Sequence, residues 1–249
     1  MKLKLIACEV FTREIGLCTA HSPHTIDVEF TKKNAHDNAN KLRQILQEKI
    51  YESDEEGYDA IILGIGLCGN STAGLRAGKT RLIMPRAHDC CTVFLGSKNR
   101  FKEIFETRPS TPFTSAGYME RGTTLMHEAS GFASEFGLKQ SFQEYVEIYG
   151  EDNARYLWET LHENLENNNK EIVFIDIPEL SHLGYAEKAR EWAKDNNKDF
   201  IYEKGSIEVI KKLLNGEWND EEFLTVLPGQ KIDPVYDWVR IIQSNPLNP

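Results

Sequence analysis

Three apolar runs in this chain end in cysteine. Lys2–Ile6 leads to Cys8, and Ala60–Ile65 leads to Cys68. Leu82–Met84 breaks at Pro85 and hands on to His88, Asp89, Cys90 and Cys91. Thiolates from three strand ends can converge on one ion. Zinc takes mixed Cys/His tetrahedral sets, and thiolates also hold iron–sulfur clusters. The sequence contains no Cys-x-x-Cys pair, so such a site must be assembled by the fold. The plain alternative is that these cysteines are small buried hydrophobes.

The turn at 88–91 adds further donors. His88 and Cys90 are two apart, so in an extended turn their side chains can point the same way. That suits a His-x-Cys ligand pair. Asp89 can orient an imidazole or cap a helix. Cys91 is a weaker ligand candidate, because it begins a helix and is expected to face the core. His36, in the first turn of an early helix, is a weaker candidate for a fourth ligand or for a hydrogen-bond donor behind the ligands. Asn70 follows Cys68 and can bond a thiolate or a substrate oxygen. Glu120, beside Tyr118 and Arg121, can contact substrate or act as a general base. Cys18, His21 and His24 surround Ser22-Pro23 and are expected on a surface loop, apart from the other cysteines.

The elements that must position these residues alternate. Strands are expected at Lys2–Val10, Thr25–Phe30, Ala60–Ile65, Arg81–Met84, Glu171–Ile177, Asp199–Glu203 and Phe223–Leu227. Helices are expected from Asn34 to about Tyr51, within Cys91–Thr107, and over Leu138–Tyr149, Asp152–Asn167, His182–Asn196 and Ser206–Leu214. Pro109–Tyr118 reads as extended. The glycines of GIGLCGNSTAGLRAG, at 64, 66, 69, 74 and 78, fit neither the dinucleotide fingerprint nor the phosphate loop. They predict a tight loop presenting Cys68 and Asn70, then a short helix. The alternation argues for an α/β fold, Rossmann-like, with mainly parallel sheet flanked by helices. The chain divides into two α/β halves, 1–120 with the Cys/His site and 121–249 with a helical connection, or forms a single compact unit. In open α/β sheets ligands sit at the carboxyl ends of the strands, where these cysteines fall.

Composition narrows the function classes. Of 249 residues 40% are hydrophobic and 27% charged, which suits a globular core of ordinary size. The net charge of −10 disfavours a general nucleic-acid binder. No apolar stretch reaches the ~18–20 residues that span a membrane. The start, MKLKLIACEVF, reads as a strand rather than a signal peptide. Five cysteines make an odd count, which fits thiols used as ligands or nucleophiles in a reducing compartment. A cytoplasmic protein is expected.

Several motifs together resemble a known family. They are Cys8 at the end of strand one, NAHDNANKL, GLCGNS at 66–71, PRAHDC at 85–90 with FLGS after it, TSAGYME at 114–120, and NGEWNDEEFLTVLPGQ at 215–230. This set resembles the domain-of-unknown-function family numbered sixteen thirty-eight. Where members of that family usually carry Trp before the acid, this chain has Tyr118. The resemblance implies an occurrence in anaerobes and methanogens, near corrinoid-dependent methyl-transfer genes. With the cysteines, it implies a zinc-thiolate protein that acts on a small thiol or in corrinoid-linked methyl transfer, with a corrinoid protein as partner. An iron–sulfur or thiol-redox protein, and a non-catalytic metal- or corrinoid-handling accessory protein, are the alternatives.

Overall fold

A computed structural model of the chain describes residues 1–33, 39–106, 111–121, 151 and 170–247. The helices expected at 138–149 and 152–167, the connection between 122 and 137, the helix cap expected at Asn34, and His36 lie outside these residues.

The fold is α/β. Its main sheet has five strands in the order β2-β1-β3-β4-β8, namely Thr25–Thr31, Lys2–Cys8, Ala60–Gly64, Leu82–Pro85 and Phe223–Val226. The first four are parallel, with Ala7 opposite Gly64 and Cys8 opposite Thr31. Only β8 runs antiparallel, against β4. Every residue of β3 and β4 is buried, as unbroken apolar strands covered on both faces require. Helix α1 (Thr12–His21) leads to β2, and helix α2 (Ala39–Ser53) leads back across β1 to β3. The strand order therefore reverses between β1 and β3, which is where this architecture opens a ligand crevice.

A second parallel sheet has the order β5-β6-β7, Phe113–Ser115, Glu171–Asp176 and Asp199–Lys204. Its inner residues Val173, Ile175 and Ile177 share one apolar core with the first sheet. Because β8 returns to β4, the second half of the chain also completes the first sheet. Helix α3 (Cys90–Leu95) ends at Gly96, whose φ of 73° turns the chain into helix α4 (Lys98–Phe105), so the helix expected between Cys91 and Thr107 is two. Helix α5 (Ala116–Glu120) follows β5, where an extended run was expected to continue, and is capped by the Ser115 hydroxyl. Helices α6 (Tyr185–Asp195) and α7 (Glu208–Leu214) flank β7 in the chain.

Three expectations are corrected. Cys18 is not on a surface loop: it is buried in α1 with Ile15, one helical step before it. The residues after Cys68 form turns, not a helix. Cys68, Gly69 and Asn70 all have left-handed φ, at 44°, 60° and 64°, which no right-handed helix accommodates. The chain also does not end its regular structure at β8. A hairpin of β9 (Gln230–Pro234) and β10 (Ile242–Pro246) follows and pairs with the loop at Gly74–Ala77. None of the described helices is long and apolar enough to cross a membrane.

Candidate functional site

Parallel packing of β1, β3 and β4 brings their carboxyl ends side by side. Cys8 is the last residue of β1, and the loops after β3 and β4 carry Cys68 and Cys90. These two loops zip together through their backbones. The Leu67 N–H donates to the Ala87 carbonyl at 2.9 Å, and the Cys68 N–H to the His88 carbonyl at 2.8 Å. Gly66 makes this approach sterically open, since a Cβ there would stand 2.7–2.9 Å from the backbone of Asp89. Gly66→Ala is therefore expected to cost about 1–3 kcal/mol, as overpacking does, and to push the two loops apart. Urea unfolding beside a thiol titration checks both effects.

The result is a cluster of three thiols. The sulfurs of Cys68 and Cys90 are 3.9 Å apart. Cys90 also interacts by hydrogen bonding with the thiol of Cys8. These contacts with Cys68 and Cys8, together with burial, hold the Cys90 thiol well above its ordinary range, so Cys90 keeps its proton. Cys8 and Cys90 are buried, and Cys68 is partly exposed. Cys68 reaches this place through its left-handed backbone, a conformation uncommon for a residue with a Cβ and found at functional sites.

Two further groups border the thiols. Asp89 caps α3, accepting from the Thr92 N–H at 3.0 Å. Burial, and then the neighbouring Cys68, push its carboxyl up to about 7 against these hydrogen bonds. Tyr118 is buried on α5, where burial and the thiols of Cys90, Cys8 and Cys68 raise its phenol well above the ordinary range. Its place depends on Gly117, where a Cβ would stand 1.7 Å from the Val10 carbonyl oxygen just beyond Cys8. The Lys33 ammonium lies 5.2 Å from the centre of the Tyr118 ring. The sequence placed Tyr118 beside Glu120, a candidate substrate contact or general base, and missed the influence of the thiols on it. The glycine before it was the available signal.

Other candidates have different surroundings. The His88 ring stacks on Phe101 at 5.3 Å and meets the edge of Trp238 at 5.1 Å. Burial lowers its basicity, and the charge acting on it is Asp237. Its Nε2 is buried with no hydrogen-bond partner among the described residues. What ties His88 to the thiols is its backbone carbonyl. Cys91 is fully buried in the first turn of α3, and its thiol is pushed up by burial first and then by Asp89 and Glu203. Asn70 turns its side chain toward Tyr236, with Nδ2 donating to the hydroxyl at 3.4 Å. Glu120 is held by Arg13 at 2.6 Å and accepts from the Tyr185 hydroxyl at 2.8 Å. Cys18 feels Glu14 and Glu179 rather than the thiol cluster. His24 contacts the N-terminal amine and the Asn215 carbonyl through its two ring nitrogens.

The donor chemistry fits a soft ion in part. Sulfurs sharing one zinc through ~2.3 Å bonds stand about 3.8 Å apart at the tetrahedral angle, and Cys68 and Cys90 are at 3.9 Å. Among the described residues, however, no group of three or more His, Cys, Asp or Glu side chains is placed so that it could hold a metal ion.

Residues 30–214 match the family model described as "Protein of unknown function (DUF1638)". The chain belongs to this family. Cys68, Cys90 and Tyr118 lie inside the matched segment; Cys8 and the stretch 215–230 lie outside it. No curated protein and no solved structure matches the chain. The family description carries no chemistry, so any reading of function stands on the site.

Proposed function

We propose that Cys8, Cys68 and Cys90 hold a soft metal ion, zinc above all, at the crevice between β1 and β3, and that the site takes a small thiol. The observation that supports this reading is the meeting of Cys68 and Cys90 at 3.9 Å, with the Cys8 thiol raising the Cys90 thiol through hydrogen bonding as well. Zinc in such a site would keep a substrate sulfur as thiolate at neutral pH, where a free thiol is mostly protonated.

The chain's own residues set the conditions for that chemistry. The zipped loops fix the spacing of Cys68 and Cys90. Metal binding requires the Cys90 proton to leave, so affinity rises with pH. Asp89 keeps α3 in register and places a second titratable group beside Cys68. Tyr118, held as a neutral phenol, adds no charge beside the thiols. The finer reading is methyl transfer to the bound thiol from a corrinoid protein, and it is supported by the family resemblance alone.

Proton release tests the thiol reading. Adding 2-mercaptoethanol to zinc-loaded protein at pH 7 is expected to release about one proton per zinc, as coordination of a thiol demands. The metal-free protein should release none. No release from the loaded protein, or equal release from both, would overturn the reading.

A further inference from the structure

The three thiols differ in access, and the difference has a chemical consequence. Cys68 is partly exposed on a left-handed turn, whereas Cys90 is 1% exposed at the start of α3. Their sulfurs are already at 3.9 Å. A disulfide needs ~2.05 Å, so the sulfurs must close by roughly 1.9 Å. Cys68 lies on a turn whose backbone is tied at its own N–H and at its carbonyl, which accepts from the Ser71 N–H at 3.2 Å. That leaves side-chain rotation as the motion that closes the gap.

We propose that Cys68 is an oxidant-reactive cysteine and Cys90 its resolving partner, so that hydroperoxides convert the pair to a reversible disulfide. The Cys68 thiolate attacks a peroxide oxygen. An S–O bond forms, the O–O bond breaks, and the hydroxide leaves as water with the proton that the Cys68 thiol had given up to solvent, giving a sulfenic acid. The Cys90 sulfur then attacks the Cys68 sulfur. The S–S bond forms, the S–O bond breaks, and the hydroxyl departs as water with the proton Cys90 carried. Two thiols are oxidised and one hydrogen peroxide is reduced to two waters, or one alkyl hydroperoxide to an alcohol and a water. A cysteine that is accessible and has a resolving thiol in contact is the arrangement such sensing uses. Cys8 stays reduced, and the oxidised site retains one of its three thiols.

This inference does not depend on metal and is tested without it. Metal-free full-length protein is treated with hydrogen peroxide and then assayed for free thiols and by peptide mass spectrometry. The expected result is loss of two of the five thiols, with a cross-link between the peptide carrying Cys68 and the peptide carrying Cys90 and Cys91. A Cys91→Ala variant should retain the cross-link, which assigns it to Cys90, and dithiothreitol should restore both thiols. Zinc loading should slow the reaction if the metal reading also holds. Cross-linking in protein that binds no zinc would sink the metal reading and leave this one standing. Oxidation of Cys68 to sulfinic acid without a cross-link, or a cross-link from Cys68 to Cys8 or Cys18, would overturn the proposal.

Discussion

Cys90→Ser is expected to lower the affinity for zinc at least ~100-fold, the upper end of what losing a group behind the ligands costs. Cys91→Ala, one residue on, should leave the affinity close to that of the unmodified chain. Cys90 is the central sulfur of the cluster, in contact with both Cys68 and Cys8. Cys91 faces away into the core and meets only Asp89 and Glu203 electrostatically. The two substitutions touch the same helix turn, so each controls for disturbance of α3. Isothermal titration with zinc, on variants whose circular dichroism matches the parent, checks the contrast. Equal losses in both would mean that the effect is loss of packing rather than of a ligand.

The second large effect concerns stability. Glu14 on α1 is 1% exposed, and neither carboxyl oxygen has a hydrogen-bond partner among the described residues. Burial, assisted by the charge of Glu120, pushes its carboxyl up from 4.5 to about 7. Arg13 beside it is spent on Glu120. The folded carboxyl thus holds its proton to higher pH than the unfolded one. The unfolded state loses that proton first, so stability falls as pH rises from 4.5 toward 7 and stays low above. A shift of about 2.5 at ~1.36 kcal/mol each amounts to about 3 kcal/mol by pH 8. Glu14→Gln removes this dependence. Its stability relative to the parent should therefore rise by about 3 kcal/mol between pH 4.5 and pH 8. Urea unfolding at the two pH values measures it. A pH-independent difference between the chains would show that the Glu14 carboxyl titrates alike in the folded and unfolded states.

Much of the site could be read from the sequence because its residues sit where apolar runs stop. In β1, β3 and β4 the apolar run is the strand, and adjacency in a parallel sheet then brings the strand ends together without further information. What was not legible came from contacts between distant segments. The place of Tyr118 depends on Gly117 passing the Val10 carbonyl; the glycine stands in the sequence, but the distant segment it passes does not. The surroundings of Glu120 were not legible for the same reason, since its partners Arg13 and Tyr185 lie 107 and 65 residues away. Helix α1 was hidden because its N-cap position holds Phe11, which offers no side-chain cap, while the Thr12 hydroxyl one residue later donates back to the Glu9 carbonyl. The hairpin after β8 was hidden because its tip uses left-handed Tyr236 and Ile241 in place of glycine, and the Asp237 carboxylate holds the turn by accepting from the N–H groups of Val239, Arg240 and Ile241.

Cobalt(II) substitution tests the shared-thiol centre most directly, because thiolate ligation gives cobalt a near-ultraviolet charge-transfer band that scales with the number of sulfurs bound. The metal-free protein titrated with cobalt(II) should develop this band to saturation at about one equivalent. Cys8→Ser, Cys68→Ser and Cys90→Ser should each remove one thiolate's share of it, and Cys91→Ala none. Absence of the band, or a band that survives Cys8→Ser and Cys68→Ser undiminished, would contradict the account.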